Sequence, residues 1–249
     1  MLPDAYCFHR EFEAVESKTF RLERHYIHYA ISGTLRLEAD GKRWTLPPAR
    51  AAFIPAGKEV VVSILTKITS ASALFAVKFY PTFPDRLVVF EMTPLCKELI
   101  RECLQWGPEA GRLDEYALTM FKTLASVVAR LAHEPSRCFL PLPKSQGLML
   151  ALRLTETSLT SDPSFKHIAV ECGQSPRSLA RRFSEELGMT WRDVVKRMRI
   201  IRAVEELATT NASITEIAFA CGYNSLSAFN ASFRELMDQT PKDYRISIR

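Results

Sequence analysis

Residues Ile168–Phe183 read IAVECGQSPRSLARRF, and residues Ile217–Phe233 read IAFACGYNSLSAFNASF. Both write Ile-Ala-x-x-Cys-Gly, then a Ser, an apolar position and a Phe. The second copy carries one more residue between its Gly and its Phe. Each copy has the parts of a tight helical corner. Ile168 and Val170, or Ile217 and Phe219, bring apolar bulk to a short helix, and Ala169 or Ala218 lets another helix approach closely. Gly173 and Gly222 permit the positive φ that ends the first helix. The next helix packs back through Leu179 and Phe183, or Phe229 and Phe233. The pattern predicts two helix-turn-helix units, each presenting its second helix outward.

The stretch between the copies strengthens that reading. From Thr190 to Ala208 it predicts one helix, about 28 Å long at about 1.5 Å per residue. That is close to the ~34 Å between successive major-groove faces on one side of a duplex. Between Arg177 and Arg202 stand Arg177, Arg181, Arg182, Arg192, Lys196, Arg197, Arg199 and Arg202, against Glu185, Glu186 and Asp193. A local basic excess of this kind suits a phosphate backbone.

With these residues in view, residues 144–245 resemble the DNA-binding domain of the AraC/XylS family of transcription regulators. The resemblance is carried by Ile168-Ala169, Gly173, Ser175, Leu179, Phe183, Gly188-Met189-Thr190, Arg199-Ile200 to Ala203, Ile217-Ala218, Gly222-Tyr223, Phe229, Phe233 and Pro241 to Tyr244-Arg245. The longer second turn is also a trait of that family. Asp238 departs from it, standing where a Gly is usual, and a left-handed cap is expected there at some cost. The resemblance implies base contacts from Arg177, Ala180 and Arg181 in the first head and from Ser227, Ala228, Asn230 and Ala231 in the second. Arg182, off to the side, is expected on phosphate. Arg pairs with guanine and Asn with adenine in a major groove, so the first head is expected to carry most of the base readout.

The rest of the chain reads differently. The first ninety residues read as short strands between turns, with Asp40-Gly41 a strong hairpin signal. They resemble the family's cupin-like sensor barrel over His25–Gly57. Metal-binding cupins need clustered His and a carboxylate. Here His25 and His28 are three apart rather than two, the later position holds Lys58 or Glu59, and only five His exist. No metal and no cofactor is expected, and one of the two His is expected to line a ligand pocket. The pocket is placed at Tyr6, His9, His25, Tyr29 and Trp44, aromatic and polar residues of the N-terminal strands.

Thr93-Pro94 starts a helix with Leu95, Leu99, Cys103 and Trp106 on one stripe. A second helix from about Asp114 aligns Ala117, Met120, Phe121, Leu124, Val128 and Leu131. Its stripe serves either a homodimer or the chain's own barrel. The Pro-rich stretch 135–143 reads as a linker. The fold class is therefore α+β: a cupin-like sensor barrel (1–92), a helical segment (93–134), and an all-α domain (144–249). The last holds helix-turn-helix units near 164–187 and 214–236.

The chain has 249 residues, a net charge of +5 and six scattered Cys without a CxxC pair, so reduced, mostly buried thiols are expected. No run of eighteen apolar residues and no secretory signal is present, which predicts a cytoplasmic protein. No nucleophile elbow, phosphate loop or dinucleotide fingerprint appears, so an enzyme is not expected. The reading favoured is a regulator acting on double-stranded DNA and RNA polymerase under a small-molecule effector. Two alternatives are a regulator controlled by a protein partner and a cupin enzyme with an accessory DNA-binding domain.

Overall fold

The computed structural model describes residues 2–161 and 163–248. Residues 2–39 and 44–136 belong to one compact unit, and residues 137–244 to another.

In the N-terminal unit the strands are β1 (Ala5–Phe12), β2 (Val15–Arg21), β3 (His25–Ser32), β4 (Leu35–Ala39), β5 (Lys42–Leu46), β6 (Arg50–Ile54), β7 (Glu59–Ile64), β8 (Ile68–Phe75) and β9 (Val88–Glu91). One antiparallel sheet runs β1-β8-β3-β6-β9, and the strands β5-β4-β7-β2 form a second. Two helices follow, α1 (Pro94–Cys103) and α2 (Glu115–Leu131). Side chains alternate across a strand, and that period divides the first sheet cleanly. Ala5, Cys7, Ile27, Tyr29, Ala51, Phe53, Ala73 and Phe75 enter one core with Cys96, Ile100, Phe121, Leu124 and Val128 of the helices. The alternate residues, Tyr6, Phe8, Tyr26, His28, Ile54 and Leu74, face the second sheet.

The helices resolve one alternative and change one expectation. Asp114 caps α2 through Ala117 N, as a start at that residue requires. Its Phe121, Leu124 and Val128 are fully buried against the chain's own first sheet. The face offered to a second copy is already in use, so Phe121 and Leu124 hold no dimer together. In α1 the buried stripe is Cys96, Leu99, Ile100 and Cys103, and Leu95 is 58% exposed. The helix is rotated by one position from the stripe expected, because Ile100 lies beyond Leu99 on the same side.

The C-terminal unit holds α3 (Gln146–Thr157), α4 (Phe165–Glu171), α5 (Pro176–Leu187), α6 (Trp191–Thr209), α7 (Ile214–Ala220), α8 (Leu226–Met237) and the start of α9 (Pro241–Ile248). Each start has a side-chain cap where the sequence offers one: Ser145, Ser164, Ser175, Thr190, Ser213 and Ser225 all accept from the backbone N–H three residues further on. The N-terminal half of α6 contributes Val194, Val195 and Met198 to a core with Leu148, Leu152, Ile168, Ala169, Leu179 and Phe183. Its C-terminal half buries Ala203, Val204 and Leu207 and packs on α7 and α8. One rigid helix thus belongs to both heads. Asp238 ends α8 in the left-handed region, φ 57° and ψ 14°.

Candidate functional site

The candidate DNA-reading face is built on α5 and α8. Pro176 sits at the first position of α5, and Ser175 accepts from Ser178 N. Leu179 and Phe183 are fully buried one turn apart, with Phe165 edge-on to Phe183 at 6.1 Å. Anchoring that side fixes the other: Arg177, Ala180 and Arg181 are all exposed. Arg177 and Arg181 are four apart and share a face. Arg181 faces Glu185 at 3.7 Å, an exposed pair of the kind that contributes little and gives way to a stronger partner. Arg182 is half-buried and turned aside, its guanidinium beside Gly147 of α3.

The second head repeats the anchor with more aromatic weight. Tyr223, Phe229, Phe233 and Tyr244 form a ladder with successive centroids 5.3, 5.7 and 5.7 Å apart. Ser227, Ala228 and Ala231 are exposed, while Asn230 is half-buried at the flank. Arg234, one turn beyond Asn230, is exposed as well. The sequence reading missed it, though the step of four from Asn230 was there to be counted. The turn before α8 is one residue longer than the turn before α5, as the sequence requires: α5 begins three residues after Gly173, and α8 four after Gly222.

The two glycines are not equivalent. Both have positive φ, +63° at Gly173 and +85° at Gly222. A Cβ at Gly173 would meet nothing within 4 Å, whereas at Gly222 it would stand 2.8 Å from Leu159 O and 3.0 Å from the Arg199 guanidinium. The Cys preceding each glycine caps its short helix. Val170 and Phe219, expected to add apolar bulk, are 64% and 53% exposed. The short helices bury only Ile168 with Ala169, or Ile217 with Ala218.

The basic run divides in two. Arg197 donates to the carbonyls of Arg137 and Phe139 at 2.7 and 3.0 Å and lies over the Phe139 ring at 5.3 Å. Arg199 donates to Leu159 O at 3.3 Å and lies over Tyr223 at 5.7 Å. Lys196 pairs with Glu235 at 2.7 Å. These three brace the unit from within, while Arg177, Arg181 and Arg192 face outward.

The N-terminal unit holds a cavity of about 680 Å³ between its two sheets, a size suited to a small molecule. Tyr26, His28, Leu35, Leu37, Ile54 and Leu74 form its buried end, and Arg10, Phe12, Glu13, Val15 and Lys18 its exposed end. Of the five residues expected there, only Tyr6 lines it. His9 alternates outward from Tyr6 and Phe8 on β1 and is exposed. Tyr29 is in the core under the helices. His25 accepts from Ala56 N at 3.2 Å and stacks on Phe53 at 5.5 Å. Trp44 is buried in β5 outside the lining. The histidine that does line the cavity is His28, as three-residue spacing on one strand forces one of the pair to the opposite side from the other.

Among the described residues no group of three His, Cys, Asp or Glu is placed to hold a metal ion, and no helix is long and apolar enough to cross a membrane. Cys103 and Cys7 are thiol neighbours. Burial pushes the Cys96 thiol up to about 12 and Cys7 well above its usual range, which keeps both thiols protonated and unreactive.

Residues 168–247 match the family described as a helix-turn-helix domain. Over 243 residues the chain is 24% identical to the HTH-type transcriptional regulator NimR of Escherichia coli K12, covering 96% of this chain and 86% of that protein. It is 40% identical over 73 residues to the xylose operon regulatory protein of the same organism, a likeness confined to 29% of this chain and 19% of that protein. Among solved structures, an AraC-type DNA-binding transcriptional regulator from Chromobacterium violaceum matches at 31% identity and a TM-score of 0.40. It covers 41% of this chain and 91% of that one.

Proposed function

From the premise that this chain is a DNA-binding transcription regulator with an AraC/XylS-type domain, we propose that its two heads do unequal work and that its cavity senses an apolar effector. The observation that carries the first part is the face of α5, where Arg177 and Arg181 stand exposed opposite the fully buried Leu179 and Phe183. Two forked donors on one face of an anchored helix suit guanine O6 and N7 in a major groove. Ala180, between them, leaves room for the bases.

The second head sets register. Asn230 reaches an adenine from the flank, Ser227 and Arg234 take phosphate or sugar, and Ala228 and Ala231 touch at most a thymine methyl. Arg182 holds a phosphate at the edge of the first head. RNA polymerase is the protein on which such a regulator acts, in the cytoplasm. A homodimer would need a face other than the buried stripe of α2.

Selection from random duplexes with the full chain tests the reading. The expected product is a two-part site on one side of the duplex, its halves about one turn apart, with guanines fixed in one half and weak preference in the other. Equal information in both halves would overturn it. The effector part is tested by thermal denaturation with apolar compounds: one at a hundred times its dissociation constant adds about 2.7 kcal/mol.

A further inference from the structure

The floor of the sensor cavity is a short chain of hydrogen bonds that ends on a bare nitrogen. Tyr26 and His28 are two apart on β3 and share the cavity face. The Tyr26 hydroxyl donates to Ser72 Oγ at 3.3 Å and lies 3.0 Å from His28 Nδ1. Ser72 Oγ accepts from Tyr29 N at 3.2 Å and lies 2.8 Å from Ser70 Oγ, which donates to Tyr29 O at 3.3 Å.

A phenol has a single proton to give. With that proton on Ser72, Tyr26 can only accept from His28, so the imidazole hydrogen sits on Nδ1. Burial keeps the imidazole neutral, its pKa held down at about 4. Nε2 is then left with an open lone pair. It is buried, and no atom among the described residues bonds to it. Leu35, Leu37, Ile54 and Leu74 on the surrounding walls offer no polar atom beyond their backbones.

Resting on the reading of this cavity as the effector site, we infer that the effector is an apolar molecule whose leading end carries a hydroxyl or N–H, donated to His28 Nε2. A carboxylate at that end sets lone pair against lone pair in apolar surroundings, and its desolvation goes uncompensated. A methyl leaves Nε2 unpaired, and a site built to bond a hydroxyl discriminates against the analogue that lacks it. His28 is therefore the residue that sets specificity.

Three compounds of one shape test this by titration calorimetry on the full chain: 4-phenylphenol, 4-methylbiphenyl and biphenyl-4-carboxylate. The phenol is expected to bind about tenfold or more tighter than the methyl compound, in keeping with the worth of one buried hydrogen bond, and the carboxylate weakest. In His28→Phe, which keeps a ring and removes Nε2, the phenol should bind no better than the methyl compound. The ¹⁵N spectrum of the wild-type imidazoles gives a readout that needs no variant. One buried ring should show Nδ1 protonated and Nε2 bare, with the Nε2 resonance moving when the phenol binds.

Binding in which the methyl compound or the carboxylate matches the phenol overturns the inference and leaves the cavity reading standing. A preference for the phenol that survives in His28→Phe does the same, as does an Nε2 that carries the proton. Failure of all three compounds to bind the wild-type chain overturns both.

Discussion

The first head and the second head share an anchor and differ in almost everything attached to it. The first has an open turn at Gly173 and two Arg on its outward face. The second has a turn locked under Leu159 and Arg199 at Gly222, a capping box at Ser213 and Glu216, and a face of small residues. The difference teaches that the same corner can be closed by an open turn or by a packed one. The outward charge stands beside the open turn, and the small outward residues stand beside the packed one.

The sharpest way to break the comparison is at the two glycines. An Ala at either turn costs about 1–2 kcal/mol for its left-handed backbone. At Gly222 the collision with Leu159 O adds to this, for a total of about 3 kcal/mol or more. Urea denaturation of Gly173→Ala and Gly222→Ala measures both, and equal losses would erase the distinction between an open and a locked turn.

The outward faces come next. Arg177→Ala and Arg181→Ala should each cost about 1–3 kcal/mol of binding and relax preference at one base pair. Asn230→Ala should lose only a preference for adenine in the other half. Binding to operators substituted at every position reads this directly. Uniform losses for both Arg variants, with a sharp base-specific loss for Asn230→Ala, would reverse the roles of the heads.

A smaller effect separates reading from gripping. Arg182→Ala and Arg234→Ala should weaken all sequences alike and reduce the slope of log affinity against log salt by about one. A base-specific change for Arg234→Ala would promote the second head to a reader.

The smallest expected effect is in acid. The Ser213 backbone N–H donates to Glu216 at 2.7 Å, and this bond, with the Ser213 side chain, holds the Glu216 carboxyl below its ordinary value. A lowered folded pKa means that the stabilisation is present at neutral pH. It fades as pH falls below the ordinary glutamate range and is gone below the folded value. Short helix α4 has a Ser164 cap without a reciprocal acid. Amide exchange at the start of α7 should therefore rise in acid more than at the start of α4, and Glu216→Gln should remove the difference.

The sequence by itself determined the helical half almost residue by residue. Caps, glycines and a buried Phe one turn from an apolar partner are local signals, and local signals fix where helices begin, end and turn. It also placed Arg177, Arg181, Ala180, Ser227, Ala228 and Ala231 outward, because their anchors lie on the opposite side of the same helix. What the tertiary structure alone decided is where side chains go when neighbours come from far along the chain. Lys196, Arg197 and Arg199 look like a phosphate patch in sequence. Their partners Glu235, Phe139, Arg137, Leu159 and Tyr223 are 24 to 60 positions away, counted from the bonded pairs. Phe121 and Leu124 look as suited to a partner as to a core until the first sheet is laid against them. In the N-terminal unit, period two assigns His25 and His28 to different sides, yet only the pairing of the strands into two facing sheets decides which side is the cavity.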